Sequence, residues 1–99
     1  MNLLRGQVWE SNRSHLSRVL VLSGSMYNSL PDIPNVLVLP VVTDESPGGW
    51  TVSIGGSDFV VVDRVSPFRK AWLTTLQHQV DTATLTNINN ALFKILATE

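Results

Sequence analysis

The chain has 99 residues, 43% of them hydrophobic and only 15% charged, and a net charge of −1. That length fits one domain over 1–99, and the near-neutral balance excludes capture of nucleic acid by a broad basic field. Cysteine is absent, so no disulfide framework or thiolate zinc site is available, which fits a reducing cytoplasm.

Residues 1–6 hold too short an apolar run for a signal peptide, and no stretch approaches the roughly 18 apolar residues of a membrane span. Residues 7–10 read as a short strand after Gly6. Residues 11–17 are polar, with Asn12, Arg13 and His15, and read as a loop. Residues 18–23 run Arg18, Val19, Leu20, Val21, Leu22, Ser23, the pattern of a strand buried on both faces. Gly24 breaks it, and residues 26–30 fit one helical turn with Ser25 as N-cap. Pro31 and Pro34 keep the next link extended.

Residues 35–43 form the second apolar strand. Pro40 within it predicts an edge, a bulge or a strand end, because proline cannot donate to a ladder. Residues 44–49 read as a loop, acidic at its start. Residues 50–54 alternate as a strand, 55–57 turn, and 59–65 read as a further long strand ended by Ser66 and Pro67. Residues 69–76 are ambiguous between strand and helical turn. The last segment is the clear helix. Asp81 or Thr82 caps it; Leu85, Ile88, Leu92, Ile95 and Leu96 recur at helical spacing, with Asn87, Asn89, Asn90 and Lys94 opposite. Strands first and helix last define a mostly β (α+β) domain, a small sheet or barrel with a packed terminal helix. Low charge with three Trp points to a covered apolar surface, most simply a homodimer interface.

Arg18 opens its apolar strand. A guanidinium is always ionised and offers a planar fork of donors suited to paired phosphate oxygens, although an arginine there also simply caps a buried strand. His15 lies just before it, and imidazole suits proton transfer near neutrality. No His, Asp and Glu cluster has metal-ligand spacing, so neither metal nor cofactor is expected, and His78 reads as a surface residue.

The order of motifs is similar to the MazF/Kid/PemK family of type II toxins. Arg5, Gly6, Gln7, Val8 and Trp9 resemble that family's opening segment, and residues 18–23 its arginine-led strand. Met26, Tyr27 and Asn28 match the turn that follows. Leu39 and Pro40 with Thr43 resemble its proline-to-threonine strand end, and residues 59–65 with 69–73 its acidic, arginine-bearing strand and sequel.

The resemblance implies an SH3-like barrel of about five to seven strands with a C-terminal helix. It also implies a cytoplasmic homodimer that cleaves single-stranded RNA sequence-selectively without metal, held inactive by a cognate antitoxin. Arg18 takes the catalytic arginine's position and stabilises the phosphate as the ribose 2′-OH attacks. Thr43 takes that of the catalytic threonine, and His15 is the leading proton-transfer candidate, with Asp63 the lesser one. Arg13, Trp50, Asp63, Arg64 and Arg69 are the expected substrate-binding residues, since arginines contact phosphates and exposed aromatics stack unpaired bases. The 44–49 loop could read a cytosine amino group.

Two departures stand out. Val19 replaces the proline that usually follows the arginine. Thr43 stands three residues after Pro40 where the family has two, so strand alternation places Val42, not Thr43, on the face of Pro40. Either a bulge returns Thr43 to the site or Val42 stands in its place. A relative of the same fold that poisons a protein such as DNA gyrase and cleaves nothing is the alternative.

Overall fold

A computed structural model describes residues 2–44 and 49–97. Among these, seven strands form: β1 (Gln7–Ser11), β2 (Arg18–Val21), β3 (Asn35–Val42), β4 (Thr51–Gly55), β5 (Asp58–Val61), β6 (Ser66–Arg69) and β7 (Leu73–Gln79). Short 3-10 turns cover Ser14–Leu16 and Lys70–Trp72; the helices are α1 (Ser25–Asn28) and α2 (Thr82–Leu96). The strands run in the order β4-β5-β3-β2-β1-β7, with β6 also on β3, and every pairing is antiparallel. The mostly β architecture with a C-terminal helix is the one expected.

β3 organises the sheet. Along one edge it takes β2, with Val19 opposite Pro40 and Leu20 opposite Leu39. Its other edge is shared: β6 pairs with Asn35–Val38 and β5 with Val41 and Val42. The Leu37 carbonyl accepts from Leu22 N–H (2.8 Å) and its N–H donates to Ser23 Oγ (3.0 Å), both toward β2. Alternation therefore turns the Pro40 amide to the shared edge, where it has no hydrogen to give. There β5 and β6 part: residues 62–65 loop out, carrying three residues more than a continuous register along β3 needs.

The long strand expected over 59–65 thus ends at Val61, and Ser66 and Pro67, expected as terminators, begin β6 instead. Pro67 is tolerated because it faces Leu37, whose backbone bonds the other way. The ambiguous 69–76 stretch resolves into the second 3-10 turn and the start of β7.

Two apolar clusters lie on opposite sides of the central strands. Leu20, Leu39, Val60 and Val8 pack with Ile88 and Ala91 of α2; Val19, Val21, Val36 and Val38 pack with Trp9, Phe68 and Leu73. A strand with a core on each face has no polar face, hence its unbroken apolar run. Asp81 caps α2 by accepting from Thr84 N–H at 2.8 Å. Leu85, Leu92 and Ile95 pack against the first cluster as the spacing predicts, but Leu96 is exposed. Gly6, at φ +92°, brings the chain within 3.3 Å (from an added Cβ) of Leu85 and Val80, a conformation and a gap that suit glycine. Arg5 reaches Asn89 on α2.

The expected helical turn forms, but Gly24 rather than Ser25 stands at its N-cap, without a side-chain cap. Asn28 is buried, and its Nδ2 donates to the carbonyls of Leu3 (2.8 Å) and Ser23 (2.9 Å), while Ser23 Oγ donates to its Oδ1. Within the Met26, Tyr27, Asn28 motif, Asn28 is thus a structural tie between the N-terminal segment and the exit of β2.

Candidate active site

A groove of about 640 Å³ opens where β5 and β6 part. Leu16, Pro40, Val41, Val42 and Val65 give it apolar walls; His15, Ser17, Arg18, Arg64 and Ser66 are its polar groups. Three elements deliver them. The 3-10 turn carrying His15 is pinned by Ser11 Oγ, which donates to the Leu16 carbonyl (2.5 Å) and accepts from Arg13 N–H (3.1 Å). Arg18 is the first residue of β2, and Arg64 rides on the looped-out 62–65 segment.

Arg18 is gripped end-on by a carboxylate: Nη1 lies 2.8 Å from Asp58 Oδ2 and Nη2 2.9 Å from Asp58 Oδ1. The two side chains are 23% and 24% exposed. Their mutual hydrogen bonds hold the Asp58 carboxyl below its ordinary value and the guanidinium above its own, against a smaller opposing effect of burial. Glu10, across the β1–β2 pairing from Arg18, raises the guanidinium a little more. Asp58 is aimed by a tight hairpin, where Gly55 (φ +113°) pairs with it and Gly56 takes φ +58°. Solvated ion pairs add only about 0.2–1 kcal/mol to stability. The chief effect of this one is geometric, since two bonds fix the guanidinium plane.

The groove brings together Arg18, His15 and Arg64 and leaves the other expected site residues elsewhere. β3 runs to Val42 with no register shift against β2 or β5. Pro40 and Val42 share a face by alternation, Val41 of the opposite parity lines the groove with them, and Thr43 is exposed just beyond the strand end and off the groove wall. Asp63 is a structural carboxylate, accepting from the Trp50 N–H at 3.0 Å, and Trp50 itself is 44% exposed away from the groove. Arg13 lies 4.3 Å over the Trp72 ring and donates from Nε to Asn12 Oδ1 (3.1 Å). Arg69 ends β6 opposite Asn35, about 10 Å along the strand from Ser66. Of the 44–49 loop expected to read a base, 45–48 lie outside the described residues. Asp58 was not foreseen: the Gly55, Gly56, Ser57 turn marks its hairpin, but nothing in the sequence pairs it with a residue 40 positions earlier.

Among the described residues, no three His, Asp or Glu side chains gather as a metal site, and no helix is long and apolar enough to cross a membrane.

No family model matches the chain, and no curated protein does. Solved structures do. An endoribonuclease in complex with its cognate antitoxin, from a mycobacterial species, is 24% identical, with 98% of this chain and 99% of that one covered at a TM-score of 0.81. A mycobacterial endoribonuclease is 26% identical over 97% of this chain and 92% of that one, with a TM-score of 0.79. A MazE–MazF crystal structure from Deinococcus radiodurans gives 17% identity, 99% coverage of both chains and a TM-score of 0.81. The chain has the fold of the MazF-like endoribonuclease toxins over nearly its whole length.

Proposed function

We propose that the chain is the endoribonuclease toxin of a type II toxin–antitoxin pair, cleaving single-stranded RNA sequence-selectively without a metal ion. One observation carries the reading: Arg18 opens into a groove beside His15 and Arg64, in a fold shared with endoribonucleases. The ribose 2′-OH attacks the adjacent phosphorus, and the 5′-oxygen leaves with a proton, giving a cyclic phosphate. Arg18 stabilises the charge that builds on the phosphate oxygens. His15 is the proton-transfer group nearest at hand, and Arg64 binds a flanking phosphate. The polar groups lining the groove are an imidazole, two hydroxyls and two guanidinia, with no carboxylate. A hard divalent cation asks for several oxygen ligands, so this donor set supports cleavage by side chains alone.

The toxin acts in the cytoplasm as a homodimer and is restrained by a cognate antitoxin. The neighbour crystallised with its antitoxin supports that partnership. Incubation of the purified chain with defined single-stranded RNA in EDTA tests the reading. Discrete cuts with 2′,3′-cyclic phosphate ends are expected, and Arg18→Ala lowers the rate by about 100-fold or more. Full activity in Arg18→Ala, or cleavage only with added metal, overturns it.

Val42 on the groove wall, where the family resemblance implies a hydroxyl, favours a second reading: a toxin of the same fold that inhibits a protein such as DNA gyrase. Growth arrest with intact cellular RNA selects that reading.

A further inference from the structure

We propose that Asp58 is a positioning residue that sets the Arg18 guanidinium so that its unoccupied edge faces a phosphate in the groove. This role rests on the nuclease reading of Arg18 and adds to it the residue that orients the arginine. Arg18 lines the groove and Asp58 does not, so the carboxylate grips the guanidinium from outside the space a substrate would fill.

The grip is end-on, with Nη1 and Nη2 each giving one N–H to a different oxygen of Asp58. A guanidinium has five N–H groups. Two are engaged; Nε–H and the outer hydrogen of each Nη meet no protein acceptor among the described residues. Nε–H with one outer Nη–H makes a second planar fork, matched to two oxygens of a phosphodiester. Arg18 can therefore hold Asp58 and a phosphate at once.

Geometry also explains why a carboxylate should stand there. A free arginine side chain samples many rotamers, and each must be frozen out when substrate binds; a two-point grip selects one beforehand. Asp58 is itself fixed by the glycine-built turn that begins β5. The other carboxylate near Arg18, on Glu10, accepts from Gln77 Nε2 at 2.9 Å instead. His78, on β7, is the remaining titratable group that acts on Asp58.

The test compares Asp58→Ala, Asp58→Asn and Asp58→Glu with the wild-type chain on one RNA that the wild type cuts. The first two are expected to lower kcat by about 10–100-fold, the range for loss of an orienting partner, with KM within about threefold and the melting temperature lowered only by the few degrees a solvated ion pair supplies. Asp58→Glu, which keeps the fork partner, recovers part of the loss. Wild-type or faster cleavage by Asp58→Ala overturns the proposal, since the carboxylate would then only neutralise the arginine. A fall in kcat that tracks lost folded protein overturns it too. A wild-type chain that cuts no RNA sinks the nuclease reading, whereas a cutting wild type matched by Asp58→Ala sinks only the role of Asp58.

Discussion

The Asp63 carboxylate and the Trp50 backbone N–H are joined by a 3.0 Å hydrogen bond that closes the chain entering β4 onto the exit of β5. The closure leaves no room beside it. A Cβ on Gly49 would stand 2.7 Å from Val61 Cγ1 and 2.9 Å from Asp63 Oδ1. Gly49→Ala is therefore expected to destabilise the fold by about 1–3 kcal/mol, the usual range for overpacking. For a domain of this size each kcal/mol moves the melting temperature by about 4–8 °C. An unchanged thermal melt would show that the loop yields freely.

Asn28→Ala removes the donor for the Leu3 and Ser23 carbonyls and the acceptor for Ser23 Oγ, all in a buried setting. Buried groups left without partners lead us to expect a loss of about 1–3 kcal/mol, read by denaturant unfolding. Asn28 is not on the groove, so RNA cleavage per folded molecule should stay the same. A selective loss of cleavage at full stability would move this motif from scaffold to site.

Val42 and Thr43 separate by substitution. Thr43→Val is expected to leave kcat within about twofold, because Thr43 lies off the groove wall. Val42→Thr is nearly isosteric and puts a hydroxyl on that wall, where it should raise kcat by about tenfold or more if it assists proton transfer. Should Thr43→Val cost cleavage tenfold, Thr43 reaches the substrate despite its position.

The pH dependence of the Arg18–Asp58 pair has a definite sign. The Asp58 carboxyl is lowered in the folded state, chiefly by its hydrogen bonds to Arg18. Its contribution to stability is thus fully present above about pH 4, where an unfolded aspartate is ionised, and fades as pH falls through the lowered folded value. The melting-temperature gap between wild type and Asp58→Asn should be flat from pH 7 to 5 and close below about pH 4. A gap that closes between pH 7 and 6 would implicate a different titrating group.

Much of this fold is visible in local pattern. The unbroken apolar runs of β2 and β3 announce strands with a core on both faces, and the 3–4 spacing from Leu85 to Ile95 announces α2. The division between β5 and β6 is not visible, because Val60, Val61 and Val62 continue an apolar run through it. What divides them is the position of Pro40 on a neighbouring strand, a property of register. The site shows the same limit. Arg18, His15 and Arg64 were identified by residue type and order, and the groove gathers them. Arg13 and Asp63 were equally expected at the site by residue type, but they have partners in Trp72 and the Trp50 amide that only folding supplies.

Pro40 has one more effect, on how the sheet can misassemble. Its amide faces the shared edge of β3 with nothing to donate, so neither β6 sliding one way nor β5 sliding the other can pass it without losing a ladder bond. The ring works as a doorstop for both strands. It holds the gap between them open, and the groove that receives Arg18 is that gap seen from outside. Pro40 thus shapes the groove twice, by its backbone, which keeps the two strands apart, and by its ring, which lines the wall.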